Sequence, residues 1–373
     1  MEQWDAIVVG AGPAGCACAY DLAAQGRSVL LLDKAAFPRK KACGGGLTAK
    51  TLRALRYSVA PVVHKTVQRI VIETRSEPHI LVRSGKTICA MTVREELDAY
   101  CLNKTIEAGA RFQKIGRIER IGQDADGVSL FSVEGQWRSR FLIGADGVNS
   151  QVRRLTQKAA WFHRGFAIEA NLSRNAIRDD LVFDFAPVPR GYGWVFPRRD
   201  HVNIGLYSAE HTCSFDKGRL AGYIAARYGR DAAAENFIGQ YLGFGAGEHV
   251  PLPGRILLVG DAGGFADPLT GEGIYGAITS GQAAASAISA ALDHGADAGL
   301  TFAGLTAGLR GNLRITERVA TSFYARPESG FRAMRMPFVR NAVLKSYAEG
   351  FNLFRLSGIV RRFLPAAASE RAL

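Results

Sequence analysis

Short apolar runs that end in glycine mark the chain at three places. Trp4 to Val9 runs into Gly10-Ala-Gly-Pro-Ala-Gly15, Arg140 to Ile143 into Gly144-Ala-Asp-Gly147, and Arg255 to Val259 into Gly260-Asp261. Runs of this length bounded by turn residues read as buried parallel strands. After the first turn, Pro13 to Ala24 reads as a helix of small residues, among them Ala14, Gly15, Ala17, Ala19 and Ala23. Ser28 to Leu32 is a second buried strand, closed by Asp33. Another small-residue helix runs from Ile274 to about Leu292. From Thr92 to about Glu107 the spacing of Leu97, Tyr100, Cys101 and Ile106 predicts a helix with those four as its apolar stripe. Val67 to Ile72, Leu81 to Arg83, Phe166 to Leu172, Leu181 to Phe185, Gly193 to Phe196 and Val202 to Leu206 read as strands of a mostly antiparallel sheet. Residues 296–373 read as helical.

The glycines carry the first chemistry. Strand, glycine turn, small-residue helix, strand and acid fall into the register of a dinucleotide-binding βαβ unit. Gly10 suits the tight turn, Gly12 a close approach of backbone to a pyrophosphate, and Gly15 close helix–strand packing. The helix N-terminus then faces the phosphates, and Asp33 is placed to accept from ribose hydroxyls. This unit alone does not separate NAD from FAD. The second motif puts Asp146 beside the dinucleotide, although an Asp-Gly pair also suits a simple hairpin turn. The third sets Asp261 near the ribityl or pyrophosphate region and starts a helix near Gly273, whose positive end suits a reduced flavin ring. In this order the three motifs describe one pocket for a whole FAD. Gly243-Phe-Gly-Ala-Gly247 precedes a turn and a proline rather than a helix, so it reads as a loop and no separate nicotinamide domain is expected.

Composition changes this picture little. The 47 basic residues exceed the 34 acidic ones, for a formal net charge of +13, which favours anionic partners; no nucleic-acid module accompanies it. Cys16, Cys18, Cys43, Cys89, Cys101 and Cys213 contain no CxxC pair and no metal-ligand spacing, so neither a metal site nor an iron–sulfur domain is expected. The apolar run Ala6 to Val9 lacks a basic leader and no stretch is long enough to span a bilayer. A cytoplasmic protein follows as the expectation, with any membrane contact peripheral.

Three segments carry a resemblance. They are Phe37-Pro-Arg-Lys-Lys-Ala-Cys-Gly-Gly-Gly-Leu47, Tyr192-Gly-Trp-Val-Phe-Pro197 with His201-Val-Asn-Ile-Gly205, and Gly260-Asp-Ala-Gly-Gly-Phe-Ala-Asp-Pro-Leu-Thr-Gly-Glu-Gly273. Through them, residues 1 to about 295 resemble the geranylgeranyl reductase family, within the FAD-dependent oxidoreductases of the p-hydroxybenzoate hydroxylase type. The resemblance implies an α/β fold: a Rossmann-type FAD-binding domain (1–58, 92–150 and 250–295), an inserted antiparallel-sheet substrate domain (59–91 and 151–249) and a helical C-terminal segment (296–373). It implies FAD contacts at Gly10, Gly12, Pro13, Ala14, Gly15, Asp33, Lys34, Cys43, Gly44, Gly45, Arg94, Asp146, Gly260, Asp261, Gly271, Gly273 and Ile274. It also sets the Cys43 loop near the flavin ring, where the thiol either acts on the alkene or flavin or merely fills space. Tyr192, Trp194 and Phe196 alternate on a strand and share a face. That face suits a cavity wall or a core, and the resemblance favours the wall for Tyr192 and Trp194.

The activity so implied is reduction of C=C bonds in a geranylgeranyl-type lipid, quinone tail or prenyl diphosphate by hydride from N5 of reduced FAD. The catalytic candidates are Cys43, Tyr192 and Trp194. The expected partners are a hydrophobic isoprenoid-like molecule and a transient NAD(P)H or reduced carrier protein. The alternatives are a flavin monooxygenase or halogenase. From Arg310 to Arg362, eleven basic residues face three acidic ones, interleaved with Phe323, Phe331, Phe338, Phe351, Phe354 and Phe363. This tail suits either an anionic lipid surface or a cap whose phenylalanines pack on the body.

Overall fold

The computed structural model describes residues 3–74, 79–157, 160–173, 180–210 and 215–350. Cys213, Phe351, Phe354 and Phe363 lie outside them. The first sheet has the order Arg111–Lys114, Val29–Asp33, Gln3–Val9, Gly135–Gly144, Val128–Ser132, Ile118–Gln123, and Ile256–Leu258 also pairs with Gly135–Gly144. The long strand changes neighbour along its length. Residues 135–139 pair antiparallel with Val128–Ser132, while Leu142 to Gly144 pair parallel with Ile256 to Leu258. All three glycine motifs therefore leave the same end of one parallel sheet, where such sheets place their ligands. Ile7, Leu30, Leu31 and Leu32 are at most 1% exposed in its centre, each contributing about 1.5–3 kcal/mol by leaving water.

Helix Pro13–Ala23 and helix Ile274–His294 cover one face of this sheet and press together. The small residues are the reason. A Cβ added at Gly281 would lie 2.3 Å from the Ala14 carbonyl oxygen, and one at Gly260 would lie 2.9 Å from the Ala14 Cβ. Helix Arg94–Glu107 packs on the first of them through Leu97 and Cys101 of its predicted stripe, with Tyr100 partly buried, but Ile106 of that stripe turns outward. Arg94, Leu97, Asp98, Cys101, Leu102 and Thr105 are buried and Ile106 is 43% exposed. The buried face also takes in the ion pair Arg94–Asp98 and Thr105, polar positions that apolar spacing does not count.

The second sheet has the order Ala234–Phe244, His163–Ser173, His201–Ser208, Gly191–Pro197, Leu181–Asp184, Arg69–Glu73, Ile80–Arg83. It is antiparallel except for the pair Leu181–Asp184 and Arg69–Glu73. The sequence did not mark strand Ala234–Phe244, which takes in Gly243 and Phe244 of the segment expected as a loop. Its polar, half-exposed residues hide the alternation. Helices Ala307–Ala325, Pro327–Met334 and Pro337–Glu349 then lie against this sheet. Phe323 and Phe331 sit 5.2 and 5.4 Å from Phe185, ring to ring, and Tyr347 sits 6.0 Å from Phe183. The described part of the tail thus packs as a cap, with Phe338 left 53% exposed. No helix among the described residues is long and apolar enough to cross a membrane.

Candidate active site

The glycine motifs meet around one cleft. Gly10 has φ 107°, and its Cβ would fall 2.3 Å from the Ala145 carbonyl oxygen. A Cβ on Gly15 would fall 1.7 Å from the Gly10 oxygen, so the first turn closes only with glycine at both positions. Gly12 is the N-cap of helix Pro13–Ala23 and Gly273 that of helix Ile274–His294. Both line the cleft, with Pro13, Ala14, Gly260, Asp261, Gly271 and Ile274. Two helix N-termini, with their unpaired N–H groups, therefore face the same space.

Charge follows the same plan. Arg94 holds Asp98 in a fork, Nε to Oδ1 at 2.8 Å and Nη2 to Oδ2 at 2.7 Å, and Arg39 reaches the same carboxylate at 3.1 Å. Lys41 also lines the cleft, and burial and then the Arg94 charge hold its pKa below the ordinary lysine value. Three cations, Arg39, Lys41 and Arg94, around two carboxylates, Asp98 and Asp261, leave a surplus of positive charge that suits a pyrophosphate. The sequence analysis singled out neither Arg39 nor Lys41, because a Lys/Arg run reads as a solvated loop. Glycine turn, paired helix ends and surplus cations fit a flavin dinucleotide.

The acids divide. Asp261 is half-buried at the cleft; desolvation raises its pKa against the opposing charges of Lys41 and Arg94. Asp33 accepts from the N–H of Ala11 at 2.7 Å and of Ala35 at 2.8 Å, one to each oxygen, so it ties the turn to the strand end. Each oxygen retains a lone pair for a ribose hydroxyl. Lys34 is exposed beside it. Asp146 accepts from Gln151 N–H at 2.6 Å and Val152 N–H at 3.2 Å. Its carboxylate caps helix Gln151–Thr156, and its neighbours Ala145 and Gly147 border the cleft.

The loop Lys41–Gly46 crosses the cleft opposite these motifs. A Cβ on Gly44 would meet the Phe196 ring at 2.6 Å, and Gly45, at φ 59°, leaves 2.0 Å to the Thr92 oxygen. Cys43 is half-buried and its Sγ accepts from Gly45 N–H at 3.3 Å. Tyr192, Trp194 and Phe196 line the cleft and also belong to the second sheet's hydrophobic core, so wall and core are the same surface. Tyr192 Oη donates to the Thr270 carbonyl, and burial raises its phenol pKa. Trp194 Nε1 donates to Asn203 Oδ1 at 2.7 Å. Sequence reasoning missed Glu169. It is 8% exposed, lines the cleft, and burial pushes its carboxyl up to about 7. The signal was an acid set in the apolar alternation Phe166-Ala-Ile-Glu-Ala-Asn-Leu172.

A second, larger space opens beyond Tyr192. This chamber of about 630 Å³ lies between the second sheet and the C-terminal helices. Ile70, Ile72, Val82, Phe185, Leu313, Phe323, Met334 and Leu344 are among its walls. Phe183, Tyr192, Thr270, Glu272 and Tyr347 border both spaces. At the shared rim Lys50 pairs with Glu272 at 2.7 Å. Burial works against the lysine charge, but Glu272 outweighs it and raises the Lys50 pKa.

Comparison with known proteins agrees with this geometry. An FAD binding domain model matches residues 3–169. The chain is 34% identical to an uncharacterized protein of Methanosarcina barkeri, over 79% of this chain and 77% of that one. It is 31% identical to geranylgeranyl diphosphate reductase of Rhodobacter capsulatus, over 81% of this chain and 79% of that one. A geranylgeranyl bacteriochlorophyll reductase-like protein from Thermoplasma acidophilum superposes with TM-score 0.77 at 20% identity, covering 96% of this chain and 100% of that one. The flavin-dependent brominase Bmp2 superposes with TM-score 0.77 at 19% identity, covering 97% and 100%, so the fold itself is shared with enzymes of other chemistry. Glycine cradle, surplus cations and relatives agree: this chain is an FAD-dependent oxidoreductase and belongs to the geranylgeranyl reductase family.

Proposed function

We infer that the protein reduces C=C bonds in the chain of a prenyl lipid, free, attached to a quinone, or carried on a diphosphate. The observation that carries this reading is the apolar chamber of about 630 Å³ that shares the wall Phe183, Tyr192 and Tyr347 with the FAD cleft. Its size and lining suit a long hydrophobic ligand. The name of the Rhodobacter capsulatus relative supports the same class.

The FAD holders in this reading are Gly10, Gly12, Pro13, Ala14, Gly15, Asp33, Lys34, Cys43, Gly44, Gly45, Arg94, Asp146, Gly260, Asp261, Gly271, Gly273 and Ile274, with Arg39 and Lys41 added for the pyrophosphate. Residues 1–58, 92–150 and 250–295 act as the cofactor unit, and 59–91 with 151–249 as the substrate unit. Bound and reduced, FAD supplies a hydride. The chain's own residues do the rest. Tyr192, anchored through Thr270, and Trp194, anchored through Asn203, hold an aromatic wall against which the alkene lies. An isolated C=C is a poor hydride acceptor, so this alignment and the exclusion of water carry the rate. Cys43 stands at the loop edge of the same space and positions the alkene. NAD(P)H or a reduced carrier docks transiently to return electrons. The exposed Phe338 and Val343, with Arg332 and Lys345 nearby in sequence, form the peripheral contact through which lipid arrives.

The test is direct. Pre-reduced protein is incubated with a prenyl-lipid extract, without and then with oxygen, and the products are weighed by mass spectrometry. Gain of hydrogen pairs without oxygen supports the reading. An added oxygen or halogen atom, seen only in air, replaces it with a monooxygenase or halogenase.

A further inference from the structure

Strand His163–Ser173 carries one acidic side chain, and it faces the cleft. Glu169 lines that space with Cys43, Trp194 and Phe196. The Cys43 main chain and the Asn203 side chain lie near its carboxyl, and both favour its anion. Asn203 has only one orientation available for this. Trp194 Nε1 donates to its Oδ1 at 2.7 Å, and its Nδ2 donates to Asn171 Oδ1 at 3.2 Å. The second Nδ2 hydrogen is left for Glu169.

Among the described residues, charge around Glu169 is arranged without an ion pair. The cations acting on it are Arg198 and, more weakly, Arg94. Arg198 donates to the carbonyls of Gly44 and Pro197, and its Nε is buried with no partner. Burial lowers the Arg198 pKa to about 10, and Glu169, Cys43 and Cys89 act against that shift. From the loop, the Cys43 thiol faces the same space, with Lys41 behind it beside Arg94. Strand Ala234–Phe244 contributes the uncharged Gln240 and the phenol of Tyr241 to the cleft. Glu169 can therefore hold its proton, because it is buried, and also release it, because the Cys43 main chain, Asn203 and the Arg198 charge favour the anion. Burial sets the crossover near neutral pH, the range in which a general acid works best.

We propose that Glu169 donates the proton that completes alkene reduction, with Asn203 and Trp194 as its positioning residues. This rests on the reading of the protein as a prenyl alkene reductase. Each bond reduced takes one hydride, supplied by bound reduced FAD, and one proton. The O–H bond of Glu169 breaks and its electron pair stays on the carboxylate. The alkene π pair forms the new C–H bond to that proton, and the hydride pair forms the other. Water returns a proton to Glu169 before the next turn. Trp194, expected as a catalytic residue, acts through Asn203 in this scheme.

The experiment compares the wild-type holoenzyme with Glu169→Gln, Glu169→Asp and Trp194→Phe. Infrared difference spectra against pH should show a protonated carboxyl band in the wild type that titrates near neutral pH and is absent in Glu169→Gln. Flavin content should stay at wild-type level in Glu169→Gln, showing an intact fold. Its kcat for prenyl reduction should fall by about 100-fold or more with KM little changed, and Glu169→Asp should recover part of the loss. Trp194→Phe should shift the midpoint of the pH profile. A Glu169→Gln enzyme with wild-type kcat and pH profile, or a carboxyl that titrates at the ordinary glutamate value, overturns the assignment. A wild-type enzyme that saturates no prenyl bond overturns the functional reading instead, and the donor role falls with it.

Discussion

The FAD cleft and the apolar chamber meet at Tyr192 but are built by opposite means. The dinucleotide side of the cleft is shaped by backbone. At Gly45, which lines it, and at Gly10, Gly15 and Gly281 behind it, a single added carbon would fall 1.7–2.3 Å from a main-chain oxygen. The chamber is walled by side chains drawn from Arg69–Glu73, Leu181–Asp184, Gly191–Pro197 and three C-terminal helices. Backbone has no rotamers, so the cleft has one shape and tolerates one residue type at each close approach. Side chains repack, so the chamber adapts its volume while its apolar character stays. A reductase-like protein and a brominase share this fold.

The largest expected effect breaks the cleft. In Gly15→Ala the new Cβ meets the Gly10 oxygen at 1.7 Å, and backbone cannot yield as a side chain does. Overpacking of this kind costs about 3 kcal/mol, a loss of about 100-fold in flavin affinity. Flavin absorbance retained after gel filtration measures it. A chamber substitution should do the reverse. Ala333→Phe puts a ring into the chamber wall. It should leave flavin content unchanged while raising KM for a prenyl lipid by about tenfold, a loss of about 1.4 kcal/mol in binding.

Glu169 sharpens the comparison, because it is a buried acid on the aromatic side of the cleft. Its folded pKa, about 7, lies above the ordinary 4.5. Between those values the folded protein binds the proton more tightly than the unfolded chain does. Stability should therefore fall as pH rises through this window and level off above it. Thermal melts of the wild type should show that slope, and Glu169→Gln should remove it. The smallest effect belongs to the cap surface. Phe338 is 53% exposed, so Phe338→Ser should change stability by no more than about 0.5 kcal/mol. It should, however, weaken co-sedimentation with anionic vesicles if that surface meets lipid.

The same contrast explains what the sequence disclosed. Gly10, Gly12, Gly15, Asp261 and Gly273 were legible because backbone constraints leave a local signature: a strand, a glycine, a helix. Cys43, Tyr192 and Trp194 were legible as a group through a resemblance, and their alternation set the shared face. The chamber was not legible, because its walls come from segments far apart in the chain and no local pattern links Ile70 to Leu344. Arg39 and Lys41 were hidden in a basic run that resembles solvated loop. Glu169 was a single acid in an apolar strand, and only the packing of the fold around the cleft shows that it is buried. Ile106 misled for a related reason: helical spacing is blind to the buried polar positions Arg94, Asp98 and Thr105 on the packed face.

The central claim is that cleft and chamber form one site. Reduced holoenzyme, held without oxygen, is mixed with a prenyl lipid, and the return of oxidised-flavin absorbance is followed in the wild type and in Ala333→Phe. The account predicts rapid reoxidation in step with hydrogen-pair gain by the lipid, slowed in the filled variant at equal flavin content. Reduced flavin that stays reduced with the lipid and reoxidises only when oxygen is admitted would contradict it.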